Sequence, residues 1–104
     1  MKVYLDDERQ TPEGWIRVYT VQECLVLLQT RKCTHVSFDN DLGENQPQGF
    51  KALDALEEMV YEDPTFPVPI ITVHSSNPAR VQSMQQTAIK LEVIRQQQNN
   101  GDDS

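Results

Sequence analysis

His35-Val36-Ser37-Phe38-Asp39-Asn40-Asp41-Leu42-Gly43 is the stretch that decides the fold. A β-rich run carrying Val36 and Phe38 ends abruptly in carboxylates and a glycine, as a strand does where it meets a ligand-facing loop. The same phrase occurs at the N-terminus, where the strand Lys2–Asp6, with Val3, Tyr4 and Leu5, runs into Asp6-Asp7-Glu8-Arg9. It occurs again in Val68–Val73, the most strand-like segment of the chain, which ends in Thr72-Val73-His74-Ser75-Ser76-Asn77. Ile16–Tyr19 reads as a further short strand at an edge.

Helices fill the spaces between. Thr20 is an N-cap with Glu23 completing a capping box, and Val21, Cys24, Leu25 and Leu28 follow on one helical face. Phe50, Leu53, Leu56 and Val60 mark a second helix, closed by Pro64 and Pro67. Asn77-Pro78 is an N-cap with proline at the first helical position, and Val81, Met84, Ala88 and Leu91 form the stripe of a third. Only a loop, with Thr11-Pro12-Glu13-Gly14 inside it, joins the first strand to the second. Strands separated by helices imply parallel pairing through right-handed crossovers. The expected α/β architecture is a parallel sheet of about four strands in order 2-1-3-4, with helices on both faces. The domain is expected to span residues 1–94, and residues 95–104 to be a polar, disordered tail.

With 104 residues, 38% hydrophobic and 24% charged, the chain has the composition of one small folded domain. No apolar run approaches the roughly 18 residues of a membrane span. The acidic start leaves no room for a signal peptide, so the expected location is the cytoplasm. Two cysteines, Cys24 and Cys33, are too few for a disulfide scaffold; Cys24 falls on a core face and Cys33 just beyond it, which reads as packing. The net charge of −7 is that of Asp6-Asp7-Glu8, Asp39, Asp41, Glu44 and the tail pair Asp102 and Asp103, offset by Arg9, the rest of the chain being neutral. Such a pattern disfavours broad double-stranded nucleic-acid binding and suits a metal cation.

In a parallel sheet the C-terminal strand ends share one edge, so Asp6, Asp7, Asp39, Asp41 and His74 are expected on one rim. Convergent carboxylates suit a hard divalent ion, Mg²⁺ or Mn²⁺. The start of the last helix, with Ser75, Asn77 and Arg80, faces the same rim and offers donors to a phosphate, as does Arg9. His74, beside carboxylates that would raise its pKa, is the candidate general acid. His35 falls at the opposite rim and reads as structural. For Trp15 two readings stand: packing against the sheet, or stacking on a nucleobase.

An acidic pair after strand one, an aspartate after strand three and a small polar position after strand four resemble the receiver domain of response regulators. Leu5-Asp6-Asp7-Glu8-Arg9, Thr11-Pro12-Glu13-Gly14-Trp15, Ser37-Phe38-Asp39-Asn40-Asp41-Leu42-Gly43 and Thr72-Val73-His74-Ser75-Ser76-Asn77-Pro78 more closely resemble the cyclic-phosphate-processing receiver-like family of bacterial and phage proteins. The resemblance covers roughly residues 2–92 and implies a small flavodoxin-like three-layer sandwich. It implies metal binding at Asp6 and Asp7 with Asp39, the receiver's phosphoacceptor position, as a third ligand. The receiver's switch position is His74 here, its late lysine has no counterpart, and Asp41 is an added carboxylate.

Together these readings make metal-dependent hydrolysis of a cyclic phosphate, on an RNA end or a nucleotide, the leading expectation. His74, Asp39 and Asp41 would be catalytic, Asp6, Asp7 and Asp39 metal-binding, and Ser75, Asn77, Arg80 and Arg9 phosphate-binding. The alternatives are a non-catalytic binder that sequesters a cyclic nucleotide or phosphate, and a degenerate receiver acting by protein contact. RNA repair is the setting the first reading implies; the oligomeric state is left open.

Overall fold

The computed structural model describes residues 1–100. Its elements are β1 (Lys2–Leu5), β2 (Ile16–Val18), α1 (Val21–Leu28), β3 (His35–Phe38), α2 (Phe50–Glu62), β4 (Ile70–Val73) and α3 (Pro78–Asn100). The strands form one parallel sheet in order β2-β1-β3-β4, as the crossover argument requires. Leu5 lies opposite Val18 and Phe38, and Phe38 opposite Val73. That register brings Asp6, Asp39 and His74, each the residue after its strand, out side by side.

The helix starts follow the local chemistry. Glu23 N–H donates to Thr20 Oγ1 (3.2 Å), and Tyr19 N–H donates to Glu23 Oε1 (3.2 Å), so the box satisfies the first turn of α1 from both sides. At α3, Arg80 N–H donates to Asn77 Oδ1 (3.2 Å). The core is one cluster: Val3, Leu5, Val18, Val36 and Phe38 from the strands meet Val21, Cys24 and Leu28 of α1, Leu53, Leu56 and Val60 of α2, and Met84 and Leu91 of α3. Each large apolar side chain buried there contributes roughly 1.5–3 kcal/mol.

Strand residues alternate between faces, and every one of those core strand residues points to the same face. All three helices therefore pack on one side, α2 between α1 and α3. The expected three layers, with helices on both faces, are not formed among the described residues; the domain is a sheet with one helical layer. The reason lies in the strand order. The helical crossovers β2-α1-β3 and β3-α2-β4 both run in the same direction across the sheet, so right-handedness puts both helices on the same face. The β1–β2 connection runs the other way, and it is a loop. From it Trp15 lies over the second face, edge-on to Tyr4 of β1 (centroids 6.2 Å) and to His35 (6.1 Å).

The chain from Arg95 on is helical as far as Asn100, where a disordered tail was expected. Polar contacts that no hydrophobic pattern signals hold it. Arg95 donates to both Glu92 oxygens (2.6 and 2.8 Å), and Gln98 Nε2 donates to Phe66 O (2.7 Å) while Val68 N–H donates to Gln98 Oε1 (3.2 Å). The remainder of the expected tail, residues 101–104, lies outside the described residues. No described helix is long and apolar enough to cross a membrane.

Candidate functional site at the C-terminal edge of the sheet

Asp6 is the deepest group at this edge, with no exposed surface. The chain turns back over it at once: Glu8 N–H (2.7 Å) and Arg9 N–H (2.8 Å) both donate to Oδ1. Oδ2 faces His74 Nε2 at 2.9 Å. Burial works to raise the Asp6 pKa, but the two main-chain donors and His74 outweigh it and hold the carboxyl below its ordinary range.

His74 is held on three sides. Nε2 meets Asp6, Nδ1 meets Ser37 Oγ at 2.6 Å, and the ring stacks on Tyr4 with centroids 4.5 Å apart and planes 5° from parallel. Its pKa is lowered, contrary to the expectation that neighbouring carboxylates would raise it: removal of the ring from water disfavours the imidazolium more than Asp6 and Asp39 favour it. A neutral ring beside an ionised Asp6 carries its proton on Nε2 and accepts the Ser37 hydroxyl proton at Nδ1. Ser37–His74–Asp6 is thus a continuous hydrogen-bonded line.

Asp39 follows β3 and is nearly buried; its Oδ1 accepts Asn40 N–H at 2.8 Å. Burial raises its pKa, and the charge of Asp6 adds to the rise. Ligand atoms of Asp6, Asp39 and His74 lie within 4.8 Å of one another. Asn40, fully buried, caps α2 from a distance: its Oδ1 accepts Phe50 N–H (3.2 Å), and its carbonyl accepts Gly49 N–H (2.7 Å). This contact is so close that a Cβ on Gly49 would stand 1.7 Å from the Asp39 carbonyl oxygen. Gly49 is required by space, not by its backbone angles, since its φ is −59°. Gly43, at φ 104°, makes the turn that carries the loop back toward Asp7.

A cavity of about 260 Å³ opens on this edge, lined by Asp6, Asp7, Glu8, Arg9, Asp39, Asp41, Gly43 and Ser76. All the expected acids reach it. Of the expected phosphate-binding residues only Arg9 lines it; Ser75 and Asn77 serve the start of α3, where Ser75 Oγ accepts Asn77 N–H (3.2 Å). The Arg80 guanidinium lies 4.2 Å from the centre of the Phe50 ring, as a cation–π contact. Ser76 takes the lining position instead. His35 stands at the opposite pole, its Nδ1 3.0 Å from Thr34 Oγ1, as expected of a structural histidine. Both cysteines are buried, and burial pushes the Cys24 thiol up to about 12, which leaves it unreactive.

Sequence reasoning missed Ser37, Tyr4, Asn40 and Gly49. For Ser37 and Tyr4 a signal existed: each is a non-aliphatic residue alternating with aliphatic or aromatic neighbours, on the face turned from the core. Asn40 and Gly49 act through a contact between two loops, which spacing alone does not reveal. Chemically, the lining offers clustered carboxylate oxygens, with Arg9, 3.9 Å from Asp6 Oδ2, as the one basic side chain among them. Hard oxygen donors gathered this closely, one of them an Asp39 carboxyl whose pKa burial and then the Asp6 charge raise, fit a divalent cation of the Mg²⁺ or Mn²⁺ kind.

A family model described as the cyclic-phosphate processing receiver domain matches residues 1–90. No curated protein and no solved structure gives a match.

Proposed function

Because the chain belongs to the cyclic-phosphate processing receiver domain family, we propose that it hydrolyses a cyclic phosphate with the help of a divalent metal. The observation that carries this reading is the convergence of Asp6, Asp39 and His74 within 4.8 Å beside an acid-lined cavity. Asp7 and Asp39, with Asp6 behind them, would hold Mg²⁺ or Mn²⁺, and Asp41 at the mouth would orient water. Such an ion, when bound, lowers the pKa of water and neutralises phosphoryl charge.

The chain's own residues handle the proton. Asp41, which lines the cavity, would take the proton of the attacking water. His74 in its protonated form would give the Nε2 proton, shared at rest with Asp6 Oδ2, to the leaving oxygen of the opened ring, and the proton on Asp41 would return to the solvent from which the ring is reprotonated. Tyr4, stacked on the ring, would keep it oriented toward both partners, Ser37 and Asp6, and Arg9 and Ser76, which line the cavity, would hold phosphate oxygens.

The test is turnover of a 2′,3′-cyclic nucleotide with Mg²⁺ or Mn²⁺. Asp39→Asn should abolish metal-dependent turnover, and His74→Ala should cost roughly 10²–10⁴ in rate. Affinity should change far less in the histidine variant, since proton transfer matters in the transition state. A second reading has its own support: with both His74 nitrogens already engaged, the site is also suited to fixed capture of a cyclic nucleotide. Tight binding without turnover in the wild type would establish that reading in place of hydrolysis. Modification of Asp39 by acetyl phosphate, with neither binding nor turnover, would point to a degenerate receiver.

A further inference from the structure

We propose that the free edge of β4 pairs with the same edge of a second copy of this chain, joining the two sheets into one about a twofold axis at Thr72. This surface is apart from the acidic edge, and the pairing stands whether or not that edge hydrolyses a cyclic phosphate. The sequence treats the two outer strands differently. β2 is three residues long with Arg17 at its centre, and shortness and charge both protect an edge from pairing. β4, at the other side, has no second neighbour among the described residues, and its Ile70-Ile71-Thr72-Val73 is uncharged and β-branched throughout. A groove of about 530 Å³ runs beside it, lined by all four strand residues and by Gln85, Ala88, Ile89 and Glu92 of α3. Glu92, the one charged residue of that lining, has both oxygens taken by Arg95 (2.6 and 2.8 Å). Ile89 and, one turn on, Val93 leave 65% and 53% of their surfaces in solvent. An apolar edge left open in this way is a template for another strand.

The main chain fixes the register. Ile70 N–H donates to Thr34 O (2.9 Å) and His74 N–H to Phe38 O (3.0 Å). Main-chain groups alternate in direction along a strand, so those of Ile70, Thr72 and His74 face β3, and those of Ile71 and Val73 face outward. An antiparallel copy related by a twofold axis at Thr72 sets Ile71 against the second copy's Val73, and Val73 against its Ile71. Each becomes a pair exchanging two hydrogen bonds, and every outward N–H and C=O of β4 finds a partner. An axis at Ile71 would set Val73 against Pro69, which has no N–H to give. An axis at Val73 would set Ile71 against Ser75, beyond the end of the strand.

Charge selects a second copy as the occupant. The chain carries −7, yet residues 64–79 hold no Asp, Glu, Lys or Arg, and residues 64–100 set Arg80, Lys90 and Arg95 against Glu92 alone. Two copies meeting on this side bring no cluster of carboxylates against another. Antiparallel pairing also sends the two acidic edges to opposite ends of the dimer. An acidic or basic peptide would find no unpaired charge of opposite sign in the groove lining. The complement of the groove is a short, uncharged, β-branched strand, which is what β4 itself offers.

A contact of one strand and one helix face lies at the small end of interface sizes, so association should be reversible. Sedimentation velocity of the full chain should pass from monomer to dimer between roughly 10 μM and 1 mM. Thr72 is exposed, so Thr72→Lys should keep the wild-type circular dichroism. It would place like charges opposite each other across the axis, and the variant should stay monomeric throughout. An equimolar mixture with Thr72→Glu should restore the dimer. Residues directly opposed in a non-hydrogen-bonded pair stand about 4.5 Å apart at Cα, within disulfide range. Thr72→Cys should therefore give a linked dimer under mild air oxidation. The wild type, whose Cys24 and Cys33 are buried, and Val26→Cys, exposed on α1, should show only collisional background. A wild type that is monomeric at 1 mM overturns the proposal and leaves the edge to a strand of another protein. A dimer that survives Thr72→Lys, or a Thr72→Cys chain that links no faster than Val26→Cys, overturns it as well.

Discussion

Gly49→Ala tests whether the acidic edge is held by the contact between the Asp39–Asn40 loop and the start of α2. An added Cβ would meet Asp39 O at 1.7 Å and Asp39 C at 2.8 Å, both main-chain atoms that cannot turn aside as a side chain can. Restoring ordinary contact near 3.4 Å means moving the two segments apart by about 1.7 Å. That displacement breaks Gly49 N–H to Asn40 O (2.7 Å) and Phe50 N–H to Asn40 Oδ1 (3.2 Å). Two such bonds contribute roughly 0.5–1.5 kcal/mol each, and overpacking adds roughly 1–3 kcal/mol. The expected loss is about 2–6 kcal/mol, a large part of the roughly 5–15 kcal/mol of a whole domain. Urea unfolding followed by Trp15 fluorescence should show the midpoint falling by on the order of 2 M, given a slope of roughly 1–3 kcal/mol per M. Gly14→Ala is the control. Gly14 has φ 86° but open space around it, so the control carries only the strain of a left-handed residue, about 1 kcal/mol. If Gly49→Ala costs no more than Gly14→Ala, the steric argument fails.

The metal and the acid pair make opposite demands on Asp39. Millimolar Mg²⁺ or Mn²⁺ should raise Tm by binding the folded state only, and Asp39→Asn should remove most of that rise; a wild-type Tm indifferent to both ions would defeat the metal reading. Because the folded-state pKa of Asp39 is raised, its ionised form opposes folding once pH exceeds that pKa, so in chelator at pH 7 Asp39→Asn should be more stable than the wild type and lose the advantage below about pH 3.8. His74 has the other sign: its folded-state pKa is lowered below 6.5, so its contribution is complete above 6.5 and is lost as pH falls through the folded value. Chelated wild type should therefore weaken on acidification from pH 7 in a way that His74→Gln does not, and parallel curves would refute the burial argument. Thr20→Ala should cost about 1 kcal/mol in urea unfolding through loss of the α1 cap, and an effect below 0.3 kcal/mol would mean Glu23 alone suffices.

Much of this molecule was legible because its sequence signals are local. Strands that end in acids, a capping box at Thr20 and an Asn77-Pro78 start each declare themselves within a few residues, and the crossover rule orders the strands. The acids of the candidate site were legible for the same reason: Asp6 and Asp39 follow a strand directly, and Asp7 and Asp41 come within the next two residues. What was not legible arises between segments distant in sequence. Asn40 acquires its role from Phe50 N–H, Gly49 from the Asp39 carbonyl, and Gln98 from the Phe66 carbonyl. The placement of Ser75, Asn77 and Arg80 illustrates the same limit. Proximity to a helix start made them phosphate donors on paper, yet capping and the Phe50 ring occupy them in the fold.

The direction of the histidine's pKa shift follows from one topological fact. Both helical crossovers run toward β4, so among the described residues the connection left to cover the second face is the β1–β2 loop, from which Trp15 packs against Tyr4 and His35. A side chain that leaves β4 toward that face, as His74 does, must then find its partners within the sheet itself. It finds the Tyr4 ring beneath it, Ser37 on the neighbouring strand and Asp6 at the next strand end. Burial of the imidazole outweighs the hydrogen bond and charge of Asp6 and the charge of Asp39, which is why a ring beside acids keeps a lowered pKa. A second helical layer would bury Tyr4 and His74 further, whereas the loop leaves the ring partly open beside the acidic cavity. The loop's lack of a helix was readable from the sequence, and so was the strand order. Only their combination, through the handedness of the crossovers, predicts the bare face and with it the environment of His74.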